Sequence, residues 1–229
     1  MTNAKNIDLK PNSNRINNSQ QEIKPMSKPN ENSGVKIEGH IKIWDPTSGE
    51  VLVNKRNAIH YENFSLALAM SVGNQQQGWI HEMSFGNGGT SVDPTGVITY
   101  LPTNTTGSNA SLYNQTYNKV VDPNSIYNTD PTRNLIEIRH IPGTVYTDVL
   151  ITCLLDYGEP SDQAAFDNST DMGSNYVFDE LGLKSYNSNG VNLGNLLTHV
   201  IFHPVQKSLN RLIQIDYTVR IQTLTTLNA

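Results

Sequence analysis

The sequence predicts an all-β, mainly antiparallel fold: a β-sandwich or open barrel with one short helix and an extended N-terminal arm. Three observations carry that prediction. Over residues 211–222 the side chains alternate without a break, with Ile213, Ile215, Tyr217, Val219 and Ile221 on one face and Gln214, Asp216, Thr218, Arg220 and Gln222 on the other. A period of two is that of a half-buried antiparallel strand. Two further stretches, 35–53 and 135–155, are apolar runs folded about turn residues and so read as hairpins. Only one segment has convincing helical spacing. Paired strands with a single early helix fit a sandwich or open barrel better than an α/β unit.

Taken in order, residues 1–34 are rich in Asn, Ser, Lys, Gln and Pro, with apolar side chains only at isolated points such as Ile7, Leu9, Ile16, Ile23 and Met26. Such a segment buries too little surface to offset its ordering entropy, so it is expected to be flexible alone and to order against a neighbour. Fully extended it reaches roughly 110 Å. Residues 35–229 form the expected structural domain.

That domain opens with Val35, Ile37, Ile41 and Ile43 alternating with Lys36, Glu38, His40 and Lys42. Asp45 and Pro46 start a turn, Gly49 supplies positive φ near its end, and residues 51–53 return as the second arm of a hairpin. Phe64, Leu68 and Val72 then fall four apart with Gly73 placed to stop them, which predicts a helix of about three turns. Residues 79–85 read as a short strand, and Gly86, Gly88 and Gly89 beyond it permit sharp reversal or close approach of another chain. From 93 to 134 the chain reads mostly as Asn-, Thr- and Ser-rich loop with a short apolar run at 97–101, and loops of this length usually belong to binding surfaces.

The second hairpin pairs 135–141 with 145–155 about Pro142 and Gly143. Its longer arm carries Val145, Val149, Ile151, Cys153 and Leu155 on one face and Leu150 and Leu154 on the other, so that strand should be central. Residues 161–166 suit a helical turn, and Tyr176, Phe178, Leu181 and Leu183 mark another strand. Residues 198–202 are β-rich, and the stretch 203–210 reads as a wide loop closing a final hairpin with 211–222.

Composition excludes several functions. A net charge of -5 with scattered basic residues argues against nucleic acid as partner. No apolar run is long enough to span a bilayer, and the first residues lack the apolar core of a signal peptide. Cys153 is the only cysteine, so neither an intrachain disulfide nor a thiolate zinc site is available, and it reads as a small buried hydrophobe.

The chemical motifs are each outweighed by a plainer explanation. His199 and His203 sit four apart on a strand, some 13 Å, with no HExxH pattern, so no metal and no cofactor is expected. The run 86–90 lacks the Lys of a phosphate loop and does not open a helix, so it reads as a tight turn. Asp156 with Glu159, and Asp179 with Glu180, raise a two-carboxylate glycosidase, but solvated loop acids are expected. There is no nucleophile elbow. No catalytic residue is therefore assigned and the chain is read as a non-enzyme. Lys55, Arg56, His60 and Tyr61 form the densest adhesive cluster, and two readings stay open: a partner-binding patch, or a helix cap with two solvated cations.

The runs IWDPTSGEVLVNKRNAIHYEN at 43–63, FGNGGTSVDPTG at 85–96, LLDYGEPSDQAAFDN at 154–168 and THVIFHPVQKSLNR at 198–211 together resemble virion structural proteins of tailed bacteriophages. The resemblance spans residue 35 to the end and leaves out the arm. It implies a particle component assembled in the bacterial host cytoplasm and residing in the virion, with copies of itself and other virion proteins as partners and no reaction to carry over. The expected function is a neck, collar or other tail-associated protein that forms a ring through its β body and arm. The alternatives are a capsid decoration protein, or a carbohydrate-binding or depolymerising tail module.

Overall fold

The computed structural model describes residues 34–160 and 175–224. The expected arm, except Gly34, and the helical turn expected at 161–166 lie outside the described residues. The fold is mostly antiparallel β: one nine-stranded sheet curls into a half-barrel, accompanied by a small two-stranded sheet.

The first hairpin forms as its pattern dictates. Strands β1 (Gly34–Trp44) and β2 (Val51–Ile59) pair antiparallel with Ile43 opposite Val53. In the turn the Asp45 carboxylate accepts the Thr47 N–H at 2.8 Å, and Gly49 takes φ +78°. Helix α1 (Tyr61–Val72) follows at once. Its N-cap is His60, whose Nδ1 accepts the Asn63 N–H at 3.2 Å. At the far end Gly73 keeps an ordinary φ of -78°, and Asn74 takes the left-handed conformation instead, at φ +56°.

After a 3-10 turn at Gln76–Gly78 come β3 (Ile80–Gly86), β4 (Thr90–Val92), β5 (Ile98–Tyr100) and β6 (Gln115–Val120). The remaining strands are β7 (Leu135–His140), β8 (Tyr146–Leu155), β9 (Asn175–Ser185), β10 (Thr198–Ser208) and β11 (Ile213–Leu224). The strand order in the large sheet is β6-β3-β9-β10-β2-β1-β11-β8-β7, and β4 pairs with β5.

Three expectations are corrected here. β10 and β11 do not form a closing hairpin: β10 pairs with β9 and β2, whereas β11 lies between β1 and β8. The expected wide loop is mostly strand, since β10 continues through Pro204 to Ser208, with a register shift between Ile201 and Val205 that accommodates a residue lacking an N–H. Also, β6 falls within the stretch read as loop.

The expected central position of 145–155 holds: β8 has β11 on one side and β7 on the other. The sheet divides into a five-stranded half (β2-β1-β11-β8-β7) and a four-stranded half (β6-β3-β9-β10). Among the described residues, the strand pairing that joins them is Thr198 with Ile59 and His199 with Ala58. Both halves turn their apolar faces into one core, with Ile43, Cys153, Ile215, Tyr217 and Val219 from the first meeting Phe85, Phe178, Leu181 and Phe202 from the second.

Candidate functional site

The glycine-rich loop after β3 proves to be an anion cradle whose anions belong to the protein. Gly89 N–H donates to Asp179 Oδ1 at 2.9 Å and Thr90 N–H to Asp179 Oδ2 at 2.8 Å, and the Thr90 hydroxyl also binds Asp179. Gly88 and Asn114 donate their N–H groups to Glu180 Oε1 at 3.1 and 2.8 Å, and Tyr113 donates to Oε2 at 3.0 Å. His199 completes the set. Its Nδ1 accepts the Asn104 N–H at 2.7 Å, so the proton sits on Nε2 and is donated to Glu180 Oε2 at 3.0 Å. Glycine is required for this approach, since a Cβ on Gly86 would lie 2.5 Å from both the Asn114 carbonyl and Glu180 Oε1.

These two acids are therefore not the solvated loop groups expected from sequence. Asp179 is 3% and Glu180 0% exposed, both on β9. Burial raises the Asp179 carboxyl above its ordinary range despite its donors. Burial pushes Glu180 the same way, but the His199 hydrogen bond and the N–H groups of Asn114, Tyr113 and Gly88 together hold it below the ordinary value. Sealed and saturated with donors, the pair pins residues 86–90 and 113–114 onto β9.

The other acidic pair is also engaged, as counter-ions. Glu159 binds the buried ammonium of Lys119, which donates to the Leu154 carbonyl at 2.6 Å, and Asp156 pairs with Arg133. Lys207 is fully buried; its Nζ donates to the carbonyls of Asp156 and Ser208 at 2.9 and 2.8 Å, and burial lowers its pKa to about 8. Among the described residues no cluster of three His, Cys, Asp or Glu side chains is placed to hold a metal, and no helix is long and apolar enough to cross a membrane. Cys153 lies in the core, where burial raises its thiol to about 12. A thiol reagent at pH 8 should thus leave the native protein unmodified and titrate one thiol per chain in denaturant, as absorbance of the released chromophore would register.

The cluster Lys55, Arg56, His60 and Tyr61 splits in two. Lys55 donates to the Ile201 carbonyl at 2.7 Å, and His60, fully buried, caps α1 while its Nε2–H donates to the Gly107 carbonyl at 2.8 Å. Those two tie β2 and α1 to other elements. Arg56 and Tyr61 present their side chains to solvent, with Glu38 3.7 Å from Arg56.

Two adjoining clefts lie elsewhere, both sharing Trp79, Asp122 and Asn124. The first, about 380 Å³, runs between α1 and the inner face of the five-stranded half. Its floor is Ile136, Ile138, Val149 and Ile221, and its roof Phe64 and Leu68. Ile136 and Val149 also pack on the core, so this floor is the core face emerging from its cover. The second cleft, about 410 Å³, is polar and aromatic and lies between the start of β3 and the loops 122–127 and 186–191. Sequence alternation marks the floor residues as inward-facing, yet which inward positions go uncovered depends on where the second half ends. No protein-family model, curated protein or solved structure matches the chain.

Proposed function

We propose that the chain is a non-enzymatic structural subunit of a tailed-phage virion, placed in a neck, collar or other tail-associated ring and joined to further copies of itself. One observation carries the assembly part of this reading: among the described residues, the core face is left uncovered at one end of the five-stranded half. Val35, Ile138 and Val145 there are all at least half exposed, and among the described residues β7 is an edge strand of the sheet with one side unpaired. Exposed apolar surface beside an unpaired edge is costly for a lone molecule and is the usual material of a subunit interface. The placement in a virion rests on the sequence runs that resemble phage structural proteins.

Native mass spectrometry of the full chain tests the assembly part. A closed oligomer is expected at micromolar concentration, and Ile138→Asp should shift it to smaller species while leaving the thermal midpoint within about 2 °C, because that side chain is 68% exposed. A chain that stays monomeric at all concentrations would overturn it. In purified particles, six or twelve copies would mark a ring and hundreds a shell coat.

A further inference from the structure

The polar cleft has the makings of a ligand site that the assembly reading does not use. Its walls are aromatic: Trp79 is 39% and Tyr127 58% exposed, and Tyr186 meets the ring of His81 edge-on with centroids 5.2 Å apart. His81, at the base, is 2% exposed. Among the described residues its Nδ1 has no hydrogen-bond partner; Asp122 Oδ2 is 3.6 Å away. A buried imidazole nitrogen without a partner is costly unless something else supplies the bond.

The rim is held in shape by its own side chains. Asp122 Oδ1 accepts the Asn124 N–H at 2.9 Å, and Asn187 Oδ1 accepts the Asn189 N–H at 2.9 Å while its amide donates to the Leu193 carbonyl at 2.8 Å. Gln76, Asn124, Ser188 and Asn189 add further polar residues to the lining, beside the apolar Ile126 and Val191.

Charge narrows the ligand. No Lys or Arg among the described residues lines the cleft, and its one acid is Asp122, so a phosphate or carboxylate would find no permanently charged counter-ion and an acid beside it. What remains is a neutral molecule with an apolar face for the rings and many hydroxyls for amides, imidazole and carboxylate. At about 410 Å³ the space lies toward the small end of ligand pockets. We propose that this cleft binds a neutral saccharide of one or two rings, stacked on Trp79 and Tyr127, with a hydroxyl hydrogen-bonded between His81 and Asp122. This site stands whether or not the chain assembles into a ring.

Saturation-transfer difference NMR on the full chain tests it. The probes are glucose, galactose, mannose, rhamnose, N-acetylglucosamine and N-acetylgalactosamine with their common disaccharides, and glucuronic acid and glucose 6-phosphate as anionic controls. At least one neutral sugar should bind saturably and the anionic ones more weakly. Tyr127→Ala should weaken that binding about tenfold with the thermal midpoint unchanged. If that variant fails to fold, Asn189→Ala, on the exposed rim, takes its place and should also weaken binding. Absence of saturable binding across the neutral panel would overturn the proposal. Binding indifferent to the cleft variants, or tightest for an anionic sugar, would do the same.

Discussion

Ile215→Asp should abolish the native fold. Ile215 is fully buried on β11, opposite Ile43 of β1 and Cys153 of β8. An aspartate there removes a core side chain, which alone costs about 2–5 kcal/mol. It also leaves a carboxyl with no partner in apolar surroundings, for a penalty of several kcal/mol more. The sum rivals the whole stability of an ordinary domain, about 5–15 kcal/mol. Circular dichroism should show no cooperative thermal transition. Gln222→Asp, on the opposite face of the same strand, should cost about 1 kcal/mol or less. A parent-like midpoint for Ile215→Asp would mean that the two faces of β11 had been exchanged.

Glu180→Ala should be the next most damaging change. It strips the acceptor from the N–H groups of Gly88, Tyr113 and Asn114 and from His199 Nε2 in one step. Removing one member of a buried charged set costs about 3–5 kcal/mol, which for a domain of this size lowers the midpoint by about 10 °C. Amide exchange should quicken at 86–90 and 113–114 first, because those loops lose their anchor. Glu180→Gln, which keeps an acceptor oxygen, should do less harm.

The pH dependence of stability has a definite sign at each acid. Glu180 is held below its unfolded value, so its contribution is present above about pH 4.5 and is lost as pH falls through the folded pKa. Asp148, lowered by its hydrogen bonds from Arg220 at 2.7 and 2.8 Å, acts in the same direction. Asp179 is raised, so its contribution is present at low pH and is lost as pH rises through its folded pKa. Chemical denaturation between pH 3 and 7 should show a shallower acid limb in Glu180→Gln than in the parent. An unchanged limb would refute the role given to Glu180.

Much of the five-stranded half was legible because its signals are local. The alternation of Ile213 to Ile221 and the turns at Asp45 and Gly143 each concern residues close in sequence. What sequence hid was partnership. Alternation in β10 and β11 says that each has an inner face, but not that the short link at 209–212 carries the chain from one half to the other. β6 was hidden because it reads Gln-Thr-Tyr-Asn-Lys-Val, and its Lys119 is buried only by virtue of Glu159 and the Leu154 carbonyl, 40 and 35 residues away. The same holds for Asp179 and Glu180, whose backbone N–H donors lie 66 to 92 residues distant. The saccharide cleft gathers residues from 76 to 191, none with a motif of its own.

The place of β11 has a consequence for the order of events during synthesis. It is the last described strand to leave the ribosome, yet it is the one that bridges the β1-β2 ribbon to the β7-β8 ribbon. Until it arrives, two finished hairpins wait with their greasy sides open, and only the register of Ile43, Ile215 and Cys153 zips them together. Closure over so long a stretch of chain is slow by topology. The nascent molecule is thus exposed to sticking to its neighbours until the bridging strand is in place.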